Sequence, residues 1–360
     1  MNILNTFLLL AGIASAPTAV SDMDTNVQET SFIPANHPDI LYMGRIHWGD
    51  SLSPEFTYPG TTAMLNFDSE ALWMHAAPGS GQFMVEIDDI TPFKINFTPG
   101  DSIIRLANAL GKGPHTARIT YAIEGYDHHP AFRGFSVLAG DSLLAAPQRP
   151  DLKIEFIGNS ITCGYGTEAT DPETHFSYET ENHCLSYAHL TGRALNADVN
   201  VVSRSGIGMY RNYNGPREGS DDTLPDEYDR TMLYVPDHTW DFSRFQPDIV
   251  CINLGTNDTS VDNYDITLYE SRYRTFLSHL RDVYPDAKIV LLTGSMMRGK
   301  PLDDVKGALD RIAADNENVY RFDMSPQTGE LGYGADYHPS KLQSEKMARE
   351  LTGFLKGLIQ

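Results

Sequence analysis

Basic residues are scarce in this chain. Lys and Arg number 27 against 48 Asp and Glu, the formal net charge is −21, and the first basic side chain is Arg45. Phosphate binding needs clustered cations, so this deficit argues against nucleic acid as a partner. It argues equally against an anionic membrane surface. Long apolar runs are also missing. The run Phe7–Ile13 within NTFLLLAGIASAPTAV is too short to span a bilayer. With Ala14-Ser15-Ala16 behind it, the stretch reads as a secretory signal peptide over residues 1–21, although its n-region carries no basic side chain. Cysteine is scarce too: Cys163, Cys184 and Cys251 are the only three. Their spacing matches no zinc pattern, and an odd count leaves at least one thiol free. Cys251 sits in an apolar strand and reads as a buried thiol; pairing of Cys163 with Cys184 stays open.

Helical periodicity is absent from residues 36–140. Short alternating runs such as GQFMVEIDD, PFKINFTPG and HTARITYAIEG recur at about ten-residue intervals between Gly, Pro and Asp, the pattern of a β-sandwich or jelly roll. Trp48 and Trp73 fall in this half and read as core. A linker, residues 141–150, follows. Residues 151–360 then alternate apolar strands (Leu152–Gly158, Val199–Gly206, Asp248–Asp258, Ala287–Ser295, Glu317–Ser325) with helix-length segments (Ser177–Leu195, Tyr264–Tyr284, Leu302–Ala314, Lys341–Ile359). That alternation predicts an α/β domain with a parallel sheet flanked by helices. Its ligand crevice should lie beyond the carboxyl ends of the strands.

Four features fall at that edge. FIGNSITCGYG, Phe156–Gly166, puts Ser160 between a strand and a helix start, flanked by Gly158, Gly164 and Gly166. Alone it could simply cap a helix. SRSGIG places Gly206 after the second strand, where a turn is the plain alternative. LGTND places Asn257 and Asp258 after the third, where both could be turn formers. GADYHPS places His338 before the last helix, and a single loop histidine among 12 means little.

In this order the four together resemble the SGNH, or GDSL-like, hydrolases. The stretches SRSGIGMYRNYNG, LPDEYDR, TWDFSRFQPDIVCINLGTND and DYHPS look like carbohydrate esterase family 2, which also carries a jelly roll ahead of the hydrolase domain. The resemblance implies a secreted or periplasmic esterase acting on acetylated polysaccharides such as xylan or glucomannan, and on 6-O-acetyl hexoses, with no metal or organic cofactor. Ester hydrolysis through an acyl-enzyme needs a nucleophile, a base and an oxyanion hole. Ser160 is the expected nucleophile and His338 the base. The Ser160 and Gly206 N–H groups and the Asn257 amide are the expected oxyanion donors. Two departures stand out. Asn159 replaces the usual Asp of Gly-Asp-Ser, and Asp336 lies two residues before His338 rather than three. In an extended loop that spacing would put Asp336 and His338 on one side and complete a Ser-His-Asp triad; a Ser-His dyad is the rival. The irregular stretch 207–245 reads as a sugar-binding wall, with Tyr210, Tyr213, Trp240 and Tyr337 as stacking candidates and ordinary packing as the alternative. Two other readings remain: a lipid or aryl esterase on the same scaffold, and a glycan-binding protein with a vestigial site.

Overall fold

The computed structural model describes residues 29–359, so the expected leader lies outside the described residues. The N-terminal half is two facing antiparallel sheets. One orders its strands Thr30–Pro34, Phe132–Leu138, Leu72–Ala76, Ile103–Ala107. The other runs Ser142–Leu143, Thr62–Asp68, Pro114–Tyr121, Gly81–Ile87, Phe93–Phe97, with Ile40–Met43 also paired to Thr62–Asp68. Alternation decides what faces inward. Along Leu72–Ala76, Leu72, Met74 and Ala76 are buried while Trp73 and His75 point outward. Trp73 is therefore half-buried rather than core. Trp48, also half-buried, does pack against the sandwich interior. That interior is aromatic at its centre: Phe56 stacks on Phe132 at 4.5 Å and meets Tyr121 edge-on at 5.1 Å.

The C-terminal half holds five parallel strands in the spatial order Asp198–Ser203, Lys153–Gly158, Ile249–Asn253, Lys288–Thr293, Val319–Asp323. Counted along the chain this is 2-1-3-4-5, so the order reverses at the first strand and opens a crevice beyond its carboxyl end. Register aligns Gly158 with both Ser203 and Asn253, so three loops leave the sheet at one level. Helices Tyr187–Ala194, Ile266–Val283, Gly299–Ala314 and Lys341–Ile359 cover it. The expected helix Ser177–Leu195 is shorter than its pattern suggested. The Asn182 side chain caps a single turn, His183–Leu185, and Ser186 caps a fresh helix, so two local caps interrupt the run.

The halves meet over polar contacts as well as apolar ones. Arg45 of the sandwich reaches Glu155 of the first parallel strand at 3.2 Å, both side chains fully buried. Arg45 also donates to the Arg230 carbonyl at 3.0 Å and lies over the Tyr228 ring.

Candidate active site

Ser160 sits where the first parallel strand becomes a helical turn. Buried Ile154, Phe156 and Ile157 anchor the strand. Asn159 then accepts the Ile161 N–H at 3.1 Å on its side chain, capping the turn Ser160–Cys163. Asn159 thus serves as a neutral N-cap in the place where an Asp was usual. Two residues beyond Gly164, Gly166 adopts φ +59, and a Cβ there would fall 2.4 Å from the Ala335 Cβ. Only glycine lets the turn touch the loop that carries the histidine, and the Ala335 N–H donates to the Gly166 carbonyl at 3.1 Å.

His338 Nε2 stands 2.9 Å from Ser160 Oγ. Its Nδ1 lies 3.1 Å from the Ala335 carbonyl. A carbonyl only accepts, so Nδ1 carries the hydrogen and the Nε2 lone pair faces the serine hydroxyl. The ring stacks on Tyr165 with centroids 4.0 Å apart. Burial pushes its pKa down to about 4, so the imidazole is neutral near pH 7.

Three residues with a spare N–H line the same cleft as this pair. Among the described residues, the Ser160 and Gly206 N–H groups have no hydrogen-bond partner. Gly206 adopts φ +77, a left-handed angle that glycine takes without steric cost. Asn257 spends one amide hydrogen on the Ile207 carbonyl at 2.7 Å, which fixes the side chain and leaves the second. Ser160, Tyr165, Gly206, Tyr213, Asn257 and His338 line one open cleft of about 600 Å³.

Residues 42–147 match the carbohydrate esterase 2 N-terminal family, and residues 156–342 match the GDSL-like lipase/acylhydrolase family. An acetylxylan esterase/glucomannan deacetylase from Cellvibrio japonicus is 32% identical over 367 residues, covering 100% of this chain and 99% of that protein. The chain belongs to carbohydrate esterase family 2. This esterase is also 36% identical over 332 residues to the cellulase/esterase CelE of Acetivibrio thermocellus, covering 90% of this chain but only 40% of CelE. A solved family two carbohydrate esterase from Clostridium thermocellum, in complex with cellohexaose, superposes with a TM-score of 0.83 at 35% identity, over 89% of this chain and 99% of that one. As a family member the esterase is a carboxylic ester hydrolase of the SGNH type.

The structure corrects several expectations about the esterase site. Asp336 does not meet His338 Nδ1. Residues 335–337 form a tight turn instead of an extended loop, with Asp336 at φ 46 and Tyr337 at φ 59. The turn swings the Asp336 carboxylate onto the Tyr165 hydroxyl (2.6 Å), His175 Nδ1 (2.9 Å) and the Phe176 N–H (3.1 Å). Burial works against its charge, but these three donors hold its pKa below the ordinary value. The Ala335 carbonyl takes the place beside His338. Tyr210 is buried, with its hydroxyl accepting the Asp265 N–H at 2.8 Å. Trp240 is buried too, beneath the Arg244 guanidinium and at a different cleft, lined by Trp48 and Arg149. Tyr337 is exposed, with its hydroxyl bonded to Glu173, and does not line the Ser160 cleft. Of the four aromatic candidates only Tyr213, 63% exposed, does so. Cys163, Cys184 and Cys251 are all free and buried.

Two contributors went unread in the sequence. Tyr165, between Gly164 and Gly166, buttresses His338; an aromatic between two turn glycines was the available signal. For Asp258 the sequence offers a turn former as the plain alternative. Its carboxylate instead accepts three successive N–H groups, from Met209 and Tyr210 at 2.8 Å each and from Arg211 at 3.3 Å, and so ties the loop after Gly206 to the loop after the third strand.

Proposed function

We propose that this protein is an exported carbohydrate O-acetylesterase that removes acetyl groups from plant polysaccharides through an acyl-enzyme on Ser160. The observation that carries this reading is the 2.9 Å contact between His338 Nε2 and Ser160 Oγ, in a cleft that Gly206 and Asn257 also line. His338 takes the hydroxyl proton as Oγ attacks the acetyl carbon. The Ser160 and Gly206 N–H groups and the Asn257 amide receive the oxyanion. Collapse of the tetrahedral species expels the sugar alkoxide, and His338 returns the proton to it. Water then attacks the acetyl-serine by the same route and acetate leaves. The Ala335 carbonyl, in the position a triad carboxylate would hold, fixes the tautomer of a Ser-His dyad. The relative named for acetylxylan and glucomannan, matched along its whole length, supports the substrate class, and the neighbour bound to cellohexaose supports a glycan in the cleft. Tyr213 is the platform on which a sugar ring would stack.

The test is acetate release from acetylated glucomannan and xylan, alongside 4-nitrophenyl esters of increasing chain length. Acetate is expected to be preferred, and Ser160→Ala to fall below about 1% of wild-type kcat with the fold intact. Preference for octanoate would point to a lipid or aryl esterase. Absence of turnover in wild type would leave only glycan binding.

A further inference from the structure

The oxyanion loop is held from the other domain. Glu124 belongs to the sandwich, just past the strand Pro114–Tyr121, and is 1% exposed. Its carboxylate grips Ser205 twice: the Ser205 N–H donates to Oε1 at 2.6 Å and the Ser205 hydroxyl to Oε2 at 2.5 Å. Ser205 immediately precedes Gly206, and the Gly206 N–H belongs to the peptide group whose carbonyl is Ser205's. On the far side the loop is tied through residues 209–211 to Asp258. Between these two clamps the Gly206 carbonyl accepts the Tyr213 N–H at 2.8 Å, which leaves the Gly206 N–H without a partner among the described residues.

Behind Glu124 lies a second buried acid. The Glu124 N–H donates to Glu181 Oε2 at 3.1 Å, while Glu181 Oε1 has no partner among the described residues. Single carboxylate oxygens of Glu124 and Glu181 and the Cys163 sulfur lie within 4.8 Å of one another, all fully buried. Two carboxyl groups this close and this dry disfavour each other's charged form. Ser205 turns both its donors to Glu124, which favours the charged form of Glu124 over that of Glu181. Burial raises both pKa values, and the nearby Glu124 charge adds to the rise at Glu181.

We propose that Glu124 is a positioning residue for the hydrolytic reaction: by clamping Ser205 it aims the Gly206 N–H at the oxyanion, so the sandwich domain completes the catalytic geometry of its neighbour. This rests on the acyl-enzyme reading above. A misaimed donor weakens the transition state and leaves ground-state binding alone.

The experiment uses the full chain and steady-state kinetics on 4-nitrophenyl acetate, with circular dichroism to establish folding. Glu124→Ala should lower kcat by about 10- to 100-fold with KM within about twofold. Glu124→Gln keeps an acceptor for the Ser205 N–H and offers its amide to the hydroxyl, so it should recover kcat to within about threefold of wild type. Should Glu124→Ala fail to fold, Ser205→Ala, which removes one of the two hydrogen bonds, is expected to lower kcat about three- to tenfold at unchanged KM. A folded Glu124→Ala with kcat within twofold of wild type, or with raised KM at unchanged kcat, overturns the assignment; so does a Ser205→Ala that behaves as wild type where it carries the test. If wild type itself hydrolyses no acetyl ester, the reading of the site fails and takes this one with it. If wild type is active and Glu124→Ala matches it, only the positioning role fails.

Discussion

Burial against Tyr165 makes His338 a weaker base than a free imidazole, with a pKa near 4. The sign follows directly. The neutral form accepts the serine proton, so activity should be present above that value and disappear as pH falls through it. We expect kcat/KM to stay level from about pH 8 to 5 and to drop only below that; an acid limb at 6.5 would refute the assignment. Since Asp336 faces Tyr165, His175 and Phe176, Asp336→Asn should keep more than a tenth of kcat, whereas losing a triad carboxylate costs about 10⁴-fold. At this scale the sequence was partly legible. Ser160, Gly206, Asn257 and His338, which the structure brings to one cleft, stand out in the sequence because each falls at a strand end or before the last helix, inside an ordered set. Asp336 could not be placed, because its direction depends on two left-handed backbone angles that a residue spacing does not encode. Exposure was equally hidden: nothing in their residue types separates Tyr210, locked against Asp265, from Tyr213 in the cleft.

The loop between the second and third parallel strands shows what a segment without periodicity conceals. Its sequence reads as an irregular wall, yet Asp258 organises it from a distance of about fifty residues. Fully buried Arg211 adds bonds to the Asp258 carbonyl at 2.6 Å and the Val261 carbonyl at 2.7 Å. Replacing Asp258 by Ala strands three buried N–H groups, each costing about 1–3 kcal/mol. A stability loss of about 3 kcal/mol or more in urea unfolding is expected, together with a fall in kcat as Gly206 loses its downstream clamp. Wild-type stability in Asp258→Ala would mean the loop is held by something else. Regular elements were easier to read. The helix Lys341–Ile359 is a long amphipathic run with no internal cap, whereas Ser177–Leu195 looked similar until Asn182 and Ser186 were seen to accept backbone N–H groups.

Across the whole molecule the two-domain grammar was plain, but the terms on which the domains join were not. Arg45 and Glu155 form a fully buried ion pair between the halves, and removing one partner of such a pair typically costs about 3–5 kcal/mol. The hydrolase half alone, residues 152–360, would lose both Arg45 and the Glu124 clamp. We expect it to melt well below the full chain and to release acetate far more slowly; a fragment equal to the full chain in melting temperature and kcat would show the sandwich to be dispensable. The free thiols bear on the same molecule in a different way. With Cys163, Cys184 and Cys251 all unpaired and enclosed, no cross-link has to be made before the chain is finished. Folding of the described residues therefore waits on none of the slow thiol-exchange steps that pace disulfide-bonded proteins. A chain made in a reducing compartment and one made in an oxidising compartment should be covalently the same, and dithiothreitol should slow the refolding of neither.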